Sequence, residues 1–555
     1  MCKYSIGIDF GTLSARALLV NVKTGEELAC AVFEYPHAVM DKNLPSGKKL
    51  GYDWALQHPR DYLDAISYII PMLLKESSIF PDDIIGLGID FTSCTILPVK
   101  ANGTPICEID GYRNEPHAYV KLWKHHAAQD KANKINEVAT EIEEKWLGRY
   151  GNKISSEWVL PKIWEILSEA PEVYEEADYF MEAGDWVVWQ LTGSLTRNLS
   201  ATGFKAMWSK KSGYPDKTFF RELDPRLENV VEEKLGGSII PLGHKAGEIN
   251  QETSQKTGLN IGTPVAAANI DAHVTFPALS IDGPGKMLAI IGTSTCHILL
   301  GEEEHLVPGI SGVVEDGVYP GFYGYEAGQA SVGDLFGWFV ENCVGKDYYD
   351  CAQAQDMDIH NYLMEKASEL EVGQSGLIAL DWWNGCRSTL VDADLTGMVV
   401  GMTLQTKPEE VYRALIEATA YGTKKIIDIF NENDVPVNEF YASGGIAQKN
   451  PLAMQIYADV INMPIKIGGR SQGPALGSAI FAAVAAGREN GGYDNIIEAS
   501  RHMGKLDDKV YEPNVKNVLM YKKLYEEYSI LHDYFGTGIN DVMKRLKKYK
   551  NKGLC

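Results

Sequence analysis

The sequence lacks the patterns that mark metal-stabilised, secreted and membrane-spanning proteins. Its nine cysteines form no CxxC pair and no Cys/His spacing typical of a zinc site, which favours reduced thiols. Its most apolar run, residues 478–487, is about half as long as the ~20 residues of a membrane-spanning helix. Residues 1–10 contain neither a basic stretch nor a long apolar one, unlike a secretory signal. We therefore expect a cytoplasmic protein with no membrane partner.

Positive charge is also scarce. The chain has 52 lysines and arginines against 75 aspartates and glutamates, which gives a net charge of −23 at pH 7. A basic surface is the usual footprint of proteins that bind nucleic acid or anionic lipid, so we expect no nucleic-acid partner. The basic segment at residues 544–552 is interpreted as a solvated helix end. A phosphate-bearing ligand would need local amides, a lysine or a metal ion.

Two common nucleotide-binding signatures are missing as well. The chain has no GxxxxGK[ST] motif, which excludes a P-loop. The triplet Asp9-Phe10-Gly11 has no HRD or VAIK companion, which excludes a protein kinase. A nucleotide site in this protein would have to be built from other elements.

Strands and helices alternate along the chain, which predicts a mixed α/β fold. The apolar patterns predict three strands in an antiparallel meander, then a helix at residues 60–76 and an apolar strand at 84–90. Residues 115–220 are aromatic and helical, and we expect their tryptophans to pack in a core. The first three strands are predicted at residues 4–10, 15–22 and 28–35.

The second half of the sequence repeats the opening pattern. Residues 286–291 and 296–300 predict two strands joined by a turn, as the first two strands of the chain are. This repetition suggests a duplicated fold, with a boundary in the breaker-rich segment 258–264. The elements predicted after the repeat are a helix at 408–429, a strand at 439–443 and helices at 451–461 and 474–486.

Each repeat ends its first strand in a turn that can bind phosphate. In the first repeat, Gly11 and Thr12 provide backbone N–H groups and a hydroxyl that can face phosphate oxygens. Asp9, just before them, supplies a hard oxygen for a hydrated Mg²⁺. Thr293 and Ser294 offer the same donors in the second repeat, and two facing turns would form a phosphate clamp. The alternative interpretation is that both are ordinary turns at strand ends.

A third glycine-rich turn lies between the strand at 439–443 and the helix at 451–461. Gly444 and Gly445 let the backbone lie flat against a ligand, although an ordinary strand-to-helix turn also explains them. Together with the two phosphate turns, this segment resembles the ATPase fold of actin, Hsp70 and sugar kinases. In that fold two duplicated domains close over ATP.

Further motifs narrow this resemblance to the FGGY carbohydrate kinase family. The similarity runs from residue 4 to about residue 530. It implies an α/β fold of two duplicated actin-like ATPase (ribonuclease H-like) domains with a cleft between them. It also implies an N-terminal sugar-binding FGGY domain at residues 1–262 and a C-terminal ATP-binding FGGY domain at 263–555. The motifs stand in family order at residues 161–164, 184–193, 401–402 with 413–417, and 473–479.

The resemblance also implies an activity. Residues 88–95, 122–126 and 326–334 are similar to family members that phosphorylate L-ribulose with MgATP in L-arabinose catabolism. A different sugar or polyol kinase of the family, acting on D-ribulose or xylulose, is the nearest alternative. An actin-like or Hsp70-like ATP switch that binds protein is a more distant one. Dimers are common in the family, so a homodimer is a further expectation.

The resemblance assigns roles to particular residues. Asp271 occupies the place of the catalytic base and also meets the sugar, although a helix N-cap explains it too. Lys205 and Glu326 bind the sugar, one from each half, and Ser93 and Asp90 close the sugar end. His273, Cys94 and Cys296 are interpreted as packed side chains. The ATP contacts implied are Gly11, Thr12, Thr293, Ser294, Gly444, Gly445 and Asn450, with Mg²⁺ near Asp9.

Overall fold

The computed structural model describes residues 2–469 and 472–551 and confirms the mixed α/β fold. We call the part that ends with the helix α10 (Asp271–Ala278) the first half. Its strands are β1 (Tyr4–Phe10), β2 (Ser14–Asn21), β3 (Glu27–Glu34), β4 (Leu56–Gln57), β5 (Ile84–Phe91), β6 (Ile96–Val99), β7 (Val120–Lys121), β8 (Tyr179–Glu182), β9 (Thr196–Asn198), β10 (Ser238–Ile240), β11 (Lys245–Glu248), β12 (Pro264–Ala266) and β13 (Asn269–Ile270). Its helices are α1 (Pro59–Ser77), α2 (Gln129–Glu141), α3 (Val159–Glu169), α4 (Pro171–Glu176), α5 (Ala183–Thr192), α6 (Leu199–Lys205), α7 (Lys217–Leu223), α8 (Val230–Lys234), α9 (Gln251–Thr257) and α10 (Asp271–Ala278).

The second half begins with β14 and repeats the alternation of strands and helices. Its strands are β14 (Lys286–Ile291), β15 (Thr295–Gly301), β16 (Gly312–Glu315), β17 (Tyr323–Gln329), β18 (Ile378–Leu380), β19 (Met398–Val400), β20 (Glu439–Ser443), β21 (Ile465–Gly468) and β22 (Leu506–Tyr511). Its helices are α11 (Gly333–Cys343), α12 (Lys346–Ala354), α13 (Ile359–Ser368), α14 (Pro408–Glu432), α15 (Gly445–Lys449), α16 (Pro451–Ile461), α17 (Gly473–Ala486), α18 (Ile496–Met503), α19 (Val515–Gly536) and α20 (Val542–Asn551). Lys552, the last residue of the predicted basic helix end, lies outside the described residues.

Helix α1 shows how the sequence sets local structure. The helix starts with Pro59, whose missing N–H costs nothing at a position where the amide has no helical partner. The His58 side chain accepts a hydrogen bond from the amide of Arg60, which caps the first turn. At the other end, Ser78 adopts a left-handed backbone conformation and terminates the helix. The buried face of α1 packs on β2 and β3.

Two large sheets of matching topology confirm the duplication. In the first sheet, β3, β2 and β1 form the predicted antiparallel meander, and β1 pairs in parallel with β5. In the second sheet, β17, β15 and β14 form an equivalent meander, and β14 pairs in parallel with β20. The strand orders are β11-β12-β5-β1-β2-β3, with β13 also on β5, and β16-β17-β15-β14-β20-β21-β22.

Helices α10 and α17 lie between the two sheets and join the halves. Helix α17 belongs to the second half by sequence, yet it packs on β1 and β5 of the first sheet. The backbones approach so closely that a Cβ atom at Gly7 would lie 1.9 Å from the carbonyl oxygen of Ala475. A Cβ at Gly88 would lie 2.0 Å from the carbonyl oxygen of Ser478. One apolar core therefore contains side chains from both halves.

The first sheet continues past the predicted domain boundary. Strand β12 pairs with β5 and β11, and β13 pairs with β5, although both strands follow residue 262. Helix α10 begins directly after β13. Residues 264–270 are therefore part of the first sheet.

Two further expectations concern the chain as a whole. The cysteines within residues 2–469 and 472–551 are all free thiols, and Cys555 lies outside the described residues. In the same part of the chain, the helices are either too short or too polar to cross a bilayer.

Candidate active site

The two phosphate turns have related backbone geometry. The amide of Gly11 donates to the carbonyl oxygen of Ser14 at 3.0 Å, and the amide of Gly292 donates to that of Ser294 at 2.9 Å. In the first turn, the hydroxyl of Thr12 accepts a hydrogen bond from the indole N–H of Trp123 at 3.2 Å. In each half, the first strand of the hairpin therefore ends in a tight turn. The two turns lie at equivalent edges of the two sheets.

Two carboxylates stand side by side beneath the first turn. Asp9 and Asp90 are direct partners in the parallel pairing of β1 and β5. Asp90 is completely buried, and its Oδ2 accepts a hydrogen bond from the hydroxyl of Ser478 at 2.6 Å. Burial, followed by the charge of Asp9, raises the pKa of Asp90 well above its usual range, and burial also raises the pKa of Asp9. Asp90 is thus a buried partner of Asp9 and does not line the sugar cavity described below.

Asp271 brings a third carboxylate to the same region. Strand β13 pairs with β5 so that Asn269 lies opposite Asp90, and Asp271 follows as the first residue of α10. Its Oδ1 accepts a hydrogen bond from the amide of Ala272 at 2.7 Å. Burial and the charge of Asp9 raise the pKa of Asp271 to about 7. A carboxyl with this pKa can exchange a proton near neutral pH.

The chemistry of these carboxylates fits a hydrated metal ion better than a direct protein cage. No cluster of three or more His, Cys, Asp or Glu side chains within residues 2–469 and 472–551 could hold a metal by itself. Mg²⁺ usually keeps several waters and is bound by one or two carboxylates together with substrate phosphates. Burial raises the pKa values of all three carboxyls, and the charge of Asp9 raises those of Asp90 and Asp271 further, a repulsion that a nearby cation would relieve.

Lys205 and Glu326 form a buried ion pair across the two halves. The Lys205 Nζ lies 2.6 Å from Glu326 Oε1, with α6 supplying the lysine and β17 the glutamate. His273 Nε2 lies 3.2 Å from Glu326 Oε2, and its Nδ1 lies 2.8 Å from the hydroxyl of Ser200. Burial alone would raise the pKa of Glu326, but Lys205 and His273 together outweigh burial and hold that pKa well below its usual range. His273 is therefore packed, as predicted, and it also orients Glu326.

A cavity of about 310 Å³ lies between the halves and gathers the residues predicted to meet the sugar. Lys205 and Asp271 line it from the first half, and Glu326 lines it from the second. The predicted residues in its wall are Ser93, Lys205, Asp271, Thr293, Ser294 and Glu326. The structure therefore brings the second phosphate turn, the predicted base and the predicted sugar contacts to one cavity.

The cavity wall also contains residues that the sequence did not single out as ligands. Glu157 and Arg387 line it, with Arg387 Nη2 at 3.2 Å from Glu157 Oε1. Trp158, predicted as a core side chain, lines it as well, and so does Trp123, which lies in the segment 122–126 that carries part of the resemblance but was assigned no role. Glu157, Trp158 and Arg387 belong to no short motif, and their place in the wall depends on neighbours that are distant in sequence.

Ser93 is held at the cavity by a buried lysine. The Lys162 Nζ donates to the carbonyl oxygens of Cys94 at 2.5 Å and of Leu122 at 2.9 Å. Cys94 follows Ser93, and Leu122 precedes Trp123, so one ammonium fixes two segments of the cavity wall. Cys94 is buried, in agreement with the interpretation as a packed thiol, whereas Cys296 lies in the wall of the cavity.

The third glycine-rich turn lies against the end of β14. Gly444 has a φ of 95°, and a Cβ atom there would lie 2.5 Å from the carbonyl oxygen of Ile291. Gly445 has open space around it within 4 Å. Asn450 caps α16, because its Oδ1 accepts a hydrogen bond from the amide of Ala453 at 2.9 Å. The structure does not bring every predicted ATP contact to the cavity, since the wall formed by described residues leaves out Gly11, Thr12, Gly444, Gly445 and Asn450, and it also leaves out the predicted metal residue Asp9.

Comparisons with known proteins agree with this geometry. The model for the N-terminal domain of the FGGY family of carbohydrate kinases matches residues 4–276, and the model for the C-terminal domain matches residues 287–486. A curated ribulokinase from Bacillus licheniformis is 58% identical over 540 residues, which cover 97% of this chain and 98% of that protein. A ribulokinase from Halalkalibacterium halodurans is 54% identical over 550 residues, which cover 99% and 98%.

A solved structure shows the same fold. The ligand-bound xylulose kinase from Lactobacillus acidophilus matches with a TM-score of 0.78 over 97% of this chain and 99% of that one. The identity is 18%, so this likeness concerns the fold alone. It extends over both halves and therefore over the cleft between them.

Proposed function

The chain belongs to the FGGY family of carbohydrate kinases, and we propose that it phosphorylates L-ribulose with ATP to give L-ribulose 5-phosphate in L-arabinose catabolism. The observation that carries the assignment is the cavity in which Asp271 meets the Lys205–Glu326 pair and the second phosphate turn. The relatives at 54% and 58% identity over nearly the whole chain support ribulose as the sugar.

Asp271 is proposed to orient the acceptor hydroxyl and to accept its proton. A general base works best when its pKa lies near the working pH, and the Asp271 pKa of about 7 meets that condition. Phosphoryl transfer passes through a loose transition state, so most of the catalysis comes from positioning and charge stabilisation. Amides and hydroxyls at Gly11, Thr12, Thr293 and Ser294 are proposed to hold the phosphates.

Mg²⁺ is proposed to bind beside Asp9 and, when present, to neutralise the phosphate charge. The raised pKa values of the Asp9 and Asp90 carboxyls support this position for the metal ion. Gly444 and Gly445 are proposed to lie against the nucleotide. Asn450 would contact it through its amide nitrogen, because the amide oxygen caps α16.

Lys205, Glu326 and Ser93 are proposed to bind the sugar. A polyhydroxyl ligand needs paired donors and acceptors that replace water, and a lysine beside a glutamate supplies both. Lys205 can also meet the transferring phosphate, since its ammonium keeps its charge at neutral pH. Burial disfavours that charge, but Glu326 and the neighbouring thiols together outweigh burial and raise the pKa of Lys205 above its usual value.

Some expectations remain predictions. The pairing of β12 and β13 with β5 supports a boundary after residue 270, rather than the predicted division into 1–262 and 263–555. The homodimer and the cytoplasmic location are untested. Light scattering on the purified protein would determine the number of chains in the particle.

A coupled assay of ADP release over a panel of ketopentoses and polyols tests the proposed function. We expect the highest kcat/KM with L-ribulose and very little ADP release without sugar. A higher kcat/KM with xylulose, D-ribulose or a polyol would assign the chain to another branch of the family. Equal ADP release with and without sugar would favour an ATP switch. The cavity with its base and sugar contacts supports the kinase over the switch.

A further inference from the structure

A second ion pair in the cavity has no role in the function proposed above. Glu157 stands just before α3 in the first half, and Arg387 lies between β18 and β19 in the second half. Their side chains meet at 3.2 Å, and both line the same cavity as Lys205 and Glu326. The side chains are 16% and 28% exposed, so the pair is largely shielded from bulk water.

The two ion pairs mirror each other across the cleft. In one pair the first half supplies the cation, Lys205, and the second half supplies the acid, Glu326. In the other pair the first half supplies the acid, Glu157, and the second half supplies the cation, Arg387. Each pair offers donors and acceptors with no net charge. This combination suits a neutral polyhydroxyl ligand, whereas a phosphate binds best where the net charge is positive.

The packing around Arg387 keeps its guanidinium in the cavity. A Cβ atom at Gly328 would lie 3.3 Å from Arg387 Cδ, so the arginine stem lies over that glycine. Gly328 follows Glu326 by two residues on β17 and therefore lies on the same face of the sheet. The next residue, Ser388, accepts a hydrogen bond from the amide of Gly328 at 3.1 Å. The stem of Arg387 thus packs on the same face of β17 that carries Glu326.

Glu157 is held close to the other sugar contacts. The neighbouring Trp158 ring lies 5.9 Å from Lys205 Nζ, and both residues line the cavity. His126 Nε2 lies 3.8 Å from Glu157 Oε1 on the side of the first half. Burial alone would raise the pKa of Glu157, but Arg387 and the neighbouring basic side chains together outweigh burial and lower that pKa. Glu157 is therefore an ionised acceptor in the cavity wall.

We propose that Glu157 and Arg387 are substrate-binding residues, with the arginine donating to sugar oxygens and the glutamate accepting from sugar hydroxyls. The Lys205–Glu326 and Glu157–Arg387 pairs would then both bind the sugar, with one residue of each pair coming from each half. This inference rests on the proposed sugar kinase activity, and it adds a second set of contacts to the one implied by the family resemblance.

The test compares the sugar KM of Arg387→Met and Glu157→Gln with that of the wild type. Each change removes charge-assisted hydrogen bonds, so we expect the sugar KM to rise about 10- to 100-fold while the ATP KM stays unchanged. Arg387→Lys keeps the charge without the planar fork and should give a smaller rise. Calorimetric titration of the sugar without ATP should show the same weakening.

Arg149→Met is the matched control. Arg149 pairs with Glu304 at 3.0 Å, again between the two halves, but neither residue lines the cavity. If the Glu157–Arg387 pair merely fastens the halves together, the control variant should raise the sugar KM as much as Arg387→Met does. An equal rise in both variants would overturn the inference.

Other outcomes are equally decisive. An unchanged sugar KM in folded Arg387→Met and Glu157→Gln would remove both residues from the sugar site, and a rise in the ATP KM alone would place them at the phosphates. Thermal melting identifies misfolded variants, and Glu157→Gln and Arg387→Lys carry the test if Arg387→Met does not fold.

If the wild type uses a sugar other than L-ribulose, the proposed substrate is wrong. The same KM comparison with that sugar still decides the inference separately.

Discussion

The two phosphate turns share a scaffold but not their chemistry. Beneath the first turn, Asp9 on β1 lies opposite Asp90 on β5. At the equivalent register of the second sheet, Ile290 on β14 lies opposite Ser443 on β20. Both strand pairs are parallel, and both meanders end in a tight glycine turn. The two halves therefore share the same backbone arrangement, but at this register only the first half carries a pair of carboxylates.

This asymmetry would allow one cleft to bind the metal ion, the phosphates and the neutral sugar of the proposed reaction. Uncompensated acids would repel phosphate, so they are confined to the side where a cation and a proton acceptor are needed. The second half brings Glu326 into the cavity only beside Lys205. The predictions below test this division between an acidic side and a charge-balanced side, from the largest expected effect to the smallest.

Asp271→Asn should have the largest effect. The amide keeps the shape of the side chain but cannot accept the proton of the sugar hydroxyl. We expect kcat to fall by about 10²- to 10⁴-fold, the range of general acid–base catalysis, while ATP still binds. Steady-state kinetics and nucleotide titration would measure both. A variant that retained more than about a tenth of kcat would show that Asp271 is not the base.

Breaking the charge-balanced side should affect the sugar rather than the nucleotide. Lys205→Met and Glu326→Ala each remove one partner of a buried pair and leave the other charge unpaired. We expect the sugar KM to rise about 10- to 100-fold, with an additional fall in kcat for Lys205→Met. Glu326→Gln is a matched variant of similar shape. If only the ATP KM changed in these variants, both residues would belong to the nucleotide site.

Asp9→Asn makes the first turn resemble the acid-free second turn. The hard oxygen near the water shell of the metal is lost, so the Mg²⁺ concentration for half-maximal activity should rise about tenfold or more. Activity measured over a range of Mg²⁺ at fixed ATP provides the test. Wild-type Mg²⁺ dependence in this variant would leave Asp9 as a turn residue only.

The acidic side should also set the pH dependence. The pKa of Asp271 is raised to about 7, so its carboxyl gains a proton as the pH falls through neutrality. A protonated base is inactive, and kcat/KM, which reports the free enzyme, should fall about tenfold per pH unit below that value. A profile of kcat/KM for the sugar between pH 5 and 9 would test this. A flat profile down to pH 5 would contradict the assignment.

Closure of the cleft should give the smallest signal. The active groups are divided between the halves, so sugar and a nonhydrolysable ATP analogue should draw them together and exclude water. The change in radius of gyration should be small, because α10 and α17 already join the halves. Small-angle scattering with and without ligands would measure it. An unchanged radius combined with fast hydrolysis of ATP without sugar would rule out a closing clamp.

Contiguous motifs explain which features could be predicted from the sequence. The turn at Asp9 to Thr12 and the repeated turn at Thr293 are short, so their local pattern revealed the duplicated fold. Glu157 and Arg387 could not be identified, because they are 230 residues apart and gain meaning only when the halves meet. Asp90 was expected at the sugar end, but strand pairing places it beside Asp9.

The position of α17 has a consequence for how the protein is made. The strands that carry Gly7 and Gly88 form the surface on which α17 docks, yet α17 ends at Ala486. Ribosomes add about 5 to 20 residues per second, so roughly 20 to 80 s separate the synthesis of Gly88 from that of Ala486. During this interval α17 is not yet available to cover the glycine-lined face of the nascent first sheet. Completion of the N-terminal half must therefore wait until most of the chain has been translated.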